Sequence, residues 1–477
     1  MRLMCGRWRP AIRSLALLGC AALAAGCSSV RPWVNSPLTQ AAPEAQPLSE
    51  ERDPSLLVAI TLSGGGARAA AFGFGVLSEL RDTEFVWNGR RQNLLSATDV
   101  ISGVSGGSII AAYYAVHGPH GLARFEEDYL RRDFQRGLIN LALLPASLVD
   151  LSSPWYGRSH LLAKRLDALY GGATFGDLER RPDHPQLVVM ATDLSRGASF
   201  EFSWDQFRRI CSDLRSVPLS FAVAASSAVP VVLSPLTLHN HAGRCPPELA
   251  LPRTPPHRGT GTAQGSVMTG ASYRARMYQR QAESFQDAEA RPYIHLVDGG
   301  VADNLGIQRL LDRSLSDGGL SASMQHSFRL EPGTIRKLIL VVVNSERDPA
   351  ENIDQQDTLP GTFQVMDQLL FGAGARATQE TQELLVDLTH QWRQELARAG
   401  RDGSDAFAPD AEVHVVQVNL RDVPELTKRR RLLQVATAFT VGPDEVSDLI
   451  DAGREVLRSS PSFQNLLRSL QTQRRAP

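Results

Sequence analysis

Short apolar runs rich in β-branched residues alternate along the chain with helical patterns, and this alternation restricts the fold more than any other feature. The runs stay apolar instead of alternating with polar residues, as strands buried on both faces do. Such strands, separated by helices, predict an α/β fold with a mostly parallel central sheet covered on both sides. The predicted strands are LLVAITL (56–62), ATDVISGV (97–104), QLVVMATDL (186–194), YIHLVDGG (293–300), KLILVVVNS (337–345) and AEVHVVQVNL (411–420).

The first 26 residues differ from the rest of the chain. Four arginines without an acidic residue precede an apolar stretch at 15–25, which is too short for a transmembrane helix and typical of a secretory signal. LAAGC (23–27) resembles the lipobox of bacterial lipoproteins, in which Cys27 becomes the acylated mature N-terminus; Cys20 and an ordinary cleaved signal are the alternatives. We therefore expect lipid anchoring in the bacterial cell envelope, facing the periplasm. The serine after Cys27 favours the outer membrane.

Composition limits the possible partners. The chain is 43% hydrophobic and 21% charged, which suits a large globular core. Loss of the four signal arginines lowers the formal charge from −1 to −5, which argues against a nucleic-acid partner. No CxxC or HExxH pattern indicates a metal site. Cys211 and Cys245 fit a disulfide or two buried thiols equally.

A nucleophile is predicted at the second strand. Gly103-Val104-Ser105-Gly106-Gly107 fits the pattern G-x-S-x-G between a strand and a helix. A sharp strand-to-helix turn exposes the serine hydroxyl, and the crowded backbone there requires small neighbours. The helix N-terminus favours a developing anion. The alternative is a glycine turn with a serine that caps the helix.

A glycine loop follows the first strand, as Gly64-Gly65-Gly66-Ala67-Arg68. Glycines let the backbone approach closely and point several amides at one oxyanion, while Arg68 anchors the loop or adds positive charge. The run also fits the G-x-G-x-x-A dinucleotide pattern. Against that reading, no acidic residue closes a second strand about 20 positions later, and the serine turn would remain unexplained.

Ser105 needs a base, and the strongest candidate is a carboxylate. Asp298 follows an apolar strand directly, and a carboxylate at the carboxyl end of a parallel strand faces the crevice where functional loops gather. A tight turn is the alternative reading of Asp-Gly-Gly. Other titratable candidates lie in ordinary contexts and are expected to be structural; these are Asp193, Asp303, His326, His390 and His414.

These motifs together resemble the patatin-like phospholipase family over residues 55–310. That family combines a G-G-G-x-R/K oxyanion loop, a G-x-S-x-G elbow and an Asp-Gly-Gly/Ala motif, with a Ser–Asp dyad and no histidine. The chain has Ala69 where many members have glycine, and this difference implies a narrower oxyanion turn. The matching stretches, in family order, are Gly64 to Arg68, Gly103 to Gly107, ATDLSRGASFEF (191–202), AASSAVPVVLSP (224–235) and DGGVADN (298–304).

The resemblance implies a three-layer α/β/α fold and hydrolysis of membrane lipid esters, phospholipid or lysophospholipid, without a cofactor or metal. Ser105 would form an acyl-enzyme, Asp298 would accept its proton, and the Gly65 and Gly66 amides would hold the oxyanion. The alternatives are an esterase or thioesterase for soluble acyl groups, and a non-catalytic envelope scaffold. The expected organisation is a signal (1–26), a flexible tether (27–54), a catalytic domain (55–335) with an irregular insertion (240–290), and a C-terminal α/β extension (336–477).

Overall fold

The computed structural model describes residues 30–43, 52–181, 183–251, 270–348, 357–361, 365, 368, 373–399 and 406–472. The expected signal and Cys27 therefore lie outside the described residues. Among the described helices, none has the length and hydrophobicity needed to cross a membrane. The described strands are β1 (Ser36–Pro37), β2 (Leu56–Leu62), β3 (Glu84–Trp87), β4 (Arg90–Asn93), β5 (Val100–Val104), β6 (Gln186–Asp193), β7 (Ala198–Phe202), β8 (Ser212–Asp213), β9 (Leu236–His239), β10 (Tyr293–Asp298), β11 (Ile335–Asn344) and β12 (Phe407–Asn419).

Eight of these strands form one mixed sheet in the order β12-β11-β2-β5-β6-β10-β9, with β7 paired to β6. The five strands from β12 to β6 run parallel, as the apolar runs predict. Strands β10 and β7 run antiparallel to β6, which corrects the expectation that the strand before Asp298 is parallel. A strand buried on both faces has the same apolar pattern in either direction, so the sequence does not reveal this reversal.

Strands β5 and β10 meet end to end on one edge of β6. Strand β7 pairs with residues 189–193 of β6, β5 with 186–190 and β10 with 191–193, so β5 and β10 share the edge opposite β7. They approach from opposite directions, and their last residues, Val104 and Asp298, are opposite neighbouring residues of β6. This reversal brings the residues that follow two carboxyl ends together.

Helices cover both faces of the sheet, and strand residues alternate between two apolar layers. The described helices are α1 (Gly66–Asp82), α2 (Gly106–Gly121), α3 (Phe134–Ala142), α4 (Pro145–Asp150), α5 (Arg158–Tyr170), α6 (Phe175–Glu179), α7 (Trp204–Arg209), α8 (Leu219–Ser226), α9 (Gly270–Ser284), α10 (Gln308–Asp317), α11 (Leu320–Phe328), α12 (Ala373–Ala399), α13 (Leu426–Leu433), α14 (Pro443–Ser459) and α15 (Pro461–Thr472). Val58, Ile60 and Leu62 of β2 pack into the larger core with α1 and α2, whereas Leu57 faces the smaller core with α10 to α12.

The C-terminal segment belongs to the same sheet. Strand β11 pairs along its length with β2 on one side and with β12 on the other, so the segment after residue 335 extends the central layer. Helix α14 packs closely on α1, where a Cβ at Gly75 would overlap the backbone of Ile450. The amphipathic pattern of 444–460 is therefore used for packing on the fold.

Residues 30–43 are not a free tether. Strand β1 pairs with β8, the Asn35 amide donates to Ser212 Oγ at 2.9 Å, and the Leu38 side chain is 2% exposed. The ring of Trp33 stacks on Tyr293 with centroids 5.7 Å apart. The partners that hold this part of the expected tether (27–54) lie more than 120 positions later, so no local sequence pattern could predict that it is ordered.

The expected insertion at 240–290 is only partly irregular. Its described end forms α9, which packs on α10 through an ion pair between Arg274 and Asp312 at 2.6 Å. At its beginning, Cys245 forms a disulfide with Cys211, which decides between the two possibilities left open by the sequence.

Candidate active site

Ser105 lies at a strained turn between β5 and α2. Its backbone has φ 48° and ψ −120°, a conformation that residues with a Cβ rarely adopt. The turn is held at both ends, because the Ser105 N–H donates to Ser226 Oγ at 2.7 Å and its carbonyl accepts from Ser108 Oγ at 2.6 Å. The strain therefore fixes the direction of the serine hydroxyl, as in a nucleophile elbow.

The glycines around Ser105 allow the backbones to approach closely. A Cβ at Gly106 would overlap the Gly66 carbonyl, and one at Gly107 would overlap the carbonyl of Leu62. At Gly103, a Cβ would lie 2.5 Å from the Cα of Ser108. The two glycine motifs thus pack backbone to backbone, so the nucleophile and the glycine loop are held at a fixed separation.

Asp298 accepts a hydrogen bond from the nucleophile. Ser105 Oγ donates to Asp298 Oδ2 at 2.8 Å, and the Gly300 N–H donates to Oδ1 at 2.8 Å. The Asp298 side chain is 7% exposed, and burial raises its pKa to about 6, against the lowering effect of these two hydrogen bonds. A carboxylate with a raised pKa is a stronger base than an exposed one.

In the glycine loop, one amide is hydrogen-bonded within the fold and two amides have no described acceptor. The Gly64 N–H donates to the Asn304 carbonyl at 3.1 Å, so it is not free for an oxyanion, which corrects its predicted role. No described residue accepts a hydrogen bond from the N–H of Gly65 or Gly66, which lie at the N-terminus of α1. These two amides remain available for a ligand.

Arg68 anchors the loop. Its side chain is 2% exposed, its Nε donates to the Ser345 carbonyl at 3.0 Å, and its Nη1 donates to the Val435 carbonyl. Burial and the charge of Arg347 lower the pKa of Arg68 to about 9, against the opposing effect of Glu346. Of the two roles predicted for this residue, the contacts favour the anchoring one.

Two cavities meet at Ser105. The smaller cavity, about 50 Å³, is named the polar cavity for the charged side chains of Asp298, Arg68 and Glu346 in its lining, although apolar atoms form most of its surface; Gly65 also lines it. The apolar cavity has a volume of about 430 Å³, within the rough range of 300–1,000 Å³ for small-molecule sites. The two share Ser105, Val229 and Thr437. The lining of the apolar cavity includes Leu138, Ile139, Ala142, Leu161, Leu233 and Phe439.

The other carboxylates predicted to be structural have partners of their own. Asp193 is fully buried and paired with Arg291. Asp303 accepts from the N–H groups of Gly306 and Gln308 at 2.9 and 2.7 Å. Neither lines a cavity that contains Ser105.

No histidine among the described residues lines the two cavities at Ser105. His414 bonds Glu412 at 2.8 Å, His390 is exposed, and His326 lines a separate pocket. Within the described ranges, no group of three or more His, Cys, Asp or Glu residues is arranged to hold a metal ion. The described part of the insertion (240–290) does not line either cavity.

Sequence reasoning missed several residues that build the site. Ser226 accepts from the Ser105 amide, and Ser345 holds Arg68 and bonds Ser63. Glu346 lines the polar cavity and Thr437 lines both cavities, and both residues lie after residue 304, where the last sequence motif ends. The stretch AASSAVPVVLSP (224–235) gives the only sequence signal for Ser226, and the other residues depend on contacts across about 280 residues or more.

A serine at a strained strand-to-helix turn, bonded to a buried carboxylate and beside two amides without a described acceptor at a helix N-terminus, is the arrangement of a serine hydrolase. A family model of patatin-like phospholipases matches residues 60–311, somewhat more than half of the chain. The chain belongs to the patatin-like phospholipase family, a family of lipid ester hydrolases, and has the patatin fold with a central mixed sheet of eight strands.

Similar solved structures include human GIVD cytosolic phospholipase A2, at 12% identity and a TM-score of 0.43, covering 88% of this chain and 63% of that one. The chain thus spans less than two thirds of that protein. VipD from Legionella pneumophila is 11% identical with a TM-score of 0.33, covering 93% and 71% of the two chains. ExoU from Pseudomonas aeruginosa is 13% identical with a TM-score of 0.21, covering 94% and 97%. No match was found among curated proteins.

Proposed function

We propose that this protein is a serine lipid acyl hydrolase that cleaves carboxylic esters of membrane phospholipids or lysophospholipids through a Ser105–Asp298 dyad. The observation that carries the proposal is the 2.8 Å hydrogen bond from Ser105 Oγ to Asp298 Oδ2 at the junction of a polar and an apolar cavity. The polar cavity suits the ester group and the apolar one its acyl chain. Family membership supports a lipid substrate.

In the proposed mechanism, Asp298 takes the hydroxyl proton as Ser105 Oγ attacks the ester carbonyl. The tetrahedral oxyanion accepts hydrogen bonds from the N–H groups of Gly65 and Gly66, and the acyl-enzyme forms when the alcohol leaves with the proton held by Asp298. Asp298 then deprotonates water, which attacks the acyl-enzyme; the fatty acid leaves as Asp298 returns this proton to Ser105 Oγ, which restores the free enzyme. Every proton transfer in this scheme uses one carboxylate.

Fatty-acid release from mixed phospholipid micelles, compared with hydrolysis of nitrophenyl butyrate, tests the substrate class. We expect a clear preference for the micellar phospholipid. A preference for the short soluble ester would favour an esterase or thioesterase instead. Inactivity on both would favour the non-catalytic scaffold.

The apolar cavity should select acyl-chain length. Ala142→Phe fills part of the cavity, so kcat/KM for nitrophenyl decanoate should fall about tenfold, a loss of about 1.4 kcal/mol of transition-state binding, with little change for the butyrate. Both esters are used as monomers, so that binding to aggregates does not contribute. Ala146→Phe, on the exposed part of α4 outside the cavity, is the matched control. Equal loss on both esters would contradict an acyl-binding role.

Activity should depend on the ionisation of Asp298. Because its pKa is raised to about 6, the base is charged above that pH and protonated below it, so kcat/KM should fall about tenfold per pH unit below about 5. Burial also raises the pKa of Glu346, in the same cavity, to about 7. A profile of kcat/KM against pH that keeps its acid limb in Glu346→Gln assigns the limb to Asp298. Loss of the limb in that variant would assign it to Glu346.

The proposal also includes export and lipid anchoring at Cys27, with the outer membrane favoured. The arginine-rich, apolar N-terminal segment and the lipobox-like LAAGC support it. The Cys211–Cys245 disulfide supports an oxidising compartment. Mass spectrometry of the mature N-terminus tests the anchor, and an unmodified residue 27 would contradict it.

A further inference from the structure

Exposed apolar side chains are concentrated beside the active site. We define the docking face as Ile139, Leu143, Leu144, Leu148, Val149 and Trp155, which lie on α3, on α4 and just after them. Their exposed fractions range from 38% to 67%. With Val30, Val231 and Val232 at its border, this region holds nine of the eighteen exposed large apolar side chains among the described residues. A concentration of this kind marks an interaction surface.

The docking face is continuous with the apolar cavity. Ile139 belongs to both, and the border residue Val232, 58% exposed, also lines the cavity. Arg158 joins the rim of the cavity to the border by donating to the Val231 carbonyl at 2.7 Å. An apolar path thus runs from the molecular surface to Ser105.

The charge of this region suits a lipid surface. From residue 134 to residue 149 the only charged residue is Arg136, which is 79% exposed and paired with Asp133 at 3.3 Å. Arg31 lies over the ring of Trp155, 4.3 Å from its centroid, so a cation and an interfacial aromatic residue lie together at the edge. Apolar side chains bordered by arginine and tryptophan are typical of protein segments that lie in a membrane interface.

The first described residue, Val30, lies at the edge of the docking face. Ser153 Oγ donates to the Val30 carbonyl at 2.8 Å, which places Val30 beside the end of α4. Cys27, the proposed lipidation site, is three residues earlier and therefore within about 11 Å along the chain. An anchor at Cys27 would leave the protein next to the docking face.

From these four observations we propose that the docking face rests on a lipid bilayer and opens the apolar cavity directly onto it. The inference rests on the proposed function for its substrate, because it gives the acyl chain a route from the bilayer to Ser105 without crossing water. The lipid anchor and the docking face then bind the same membrane together, and either of them alone would bind the membrane more weakly than both.

The test uses the full chain with Cys27→Ala, so that no acyl anchor contributes to binding. Leu143→Gln with Leu148→Gln removes two exposed apolar side chains, 67% and 54% exposed, that do not line the cavity. Sedimentation with vesicles of phosphatidylcholine and phosphatidylglycerol should show a partition coefficient lowered at least about tenfold. The matched control is Val386→Gln with Leu426→Gln, on α12 and α13, which should bind like the parent.

Fatty-acid release from mixed phospholipid micelles, measured beside hydrolysis of nitrophenyl butyrate, separates this inference from the proposed function. If the parent prefers the phospholipid and the double variant loses vesicle binding but keeps butyrate turnover, both stand. If all proteins are inactive on both substrates but only the double variant loses binding, the docking face stands and the proposed function fails. Unchanged vesicle binding in the double variant overturns the docking face. Loss of self-association on a sizing column without loss of vesicle binding also overturns it, in favour of contact with a second copy.

Discussion

Ser105→Ala should abolish ester hydrolysis, with a loss on the order of 10⁴-fold or more, and Asp298→Asn should cost on the order of 10³-fold. Alanine removes the attacking oxygen, and asparagine cannot accept its proton although it has nearly the same shape. Neither change should disturb the fold, because position 105 already carries a Cβ at positive φ and the amide replaces a charge that is costly to bury. The measurement is fatty-acid release from phospholipid micelles, with melting temperature recorded for each variant.

The matched control for the dyad is Ser102→Ala, a buried serine three residues earlier in β5 that does not line either cavity at Ser105. It should keep activity within a few-fold of the parent. Full activity of Asp298→Asn would exclude the dyad and would make a histidine the candidate base, chosen among His326, His390 and His414. None of these three histidines lines a cavity at Ser105, which makes that outcome hard to reconcile with the fold.

Gly106→Ala should impair both folding and catalysis. A Cβ there would overlap the Gly66 carbonyl, so the glycine loop and the nucleophile turn must separate. We expect the free energy of unfolding to fall by about 2–3 kcal/mol, as in overpacked cores. Because displacement of a catalytic group by about 1 Å can cost on the order of 10²-fold, kcat per folded molecule should fall by a similar factor.

Gly197→Ala separates the steric effect from the general cost of replacing a glycine. Gly197 has φ 61° and nothing within 4 Å of its Cβ direction, so alanine there costs about 1–2 kcal/mol of backbone strain without a collision. It should lower stability and leave kcat of the folded protein unchanged. If Gly106→Ala behaves in the same way, the contact between the two glycine motifs has no catalytic importance.

Local patterns in the sequence predicted the parts of the site that depend on local backbone geometry. Few structures other than a tight strand-to-helix turn require the small residues found around Ser105 and in the glycine loop. The apolar run before Asp298 likewise predicts that this residue lies at the end of a strand. The predicted direction of β10 was wrong, because the apolar pattern of a buried strand is the same whether its neighbour is parallel or antiparallel. Asp298 nevertheless lies at the carboxyl end of its strand, as predicted, since either strand direction leaves it there.

What the sequence did not reveal depends on contacts between distant segments. Gly64 was predicted to hold an oxyanion, but its amide is used by Asn304, about 240 positions later. The segment containing Leu38 was predicted to be flexible, but pairing with β8 and side-chain contacts with other distant residues hold it in place. The docking face escaped notice because exposure, not composition, distinguishes Leu143 from a core leucine.

The meeting of β5 and β10 on one edge of β6 has a consequence for the synthesis of the protein. The nucleophile turn is complete in the chain once α2 has emerged, but its base lies 193 residues later. An unfinished chain, or one cut before residue 293, contains Ser105 without Asp298, the base in the proposed mechanism. Under that mechanism, hydrolysis therefore begins only after the last strand beside β6 has been added.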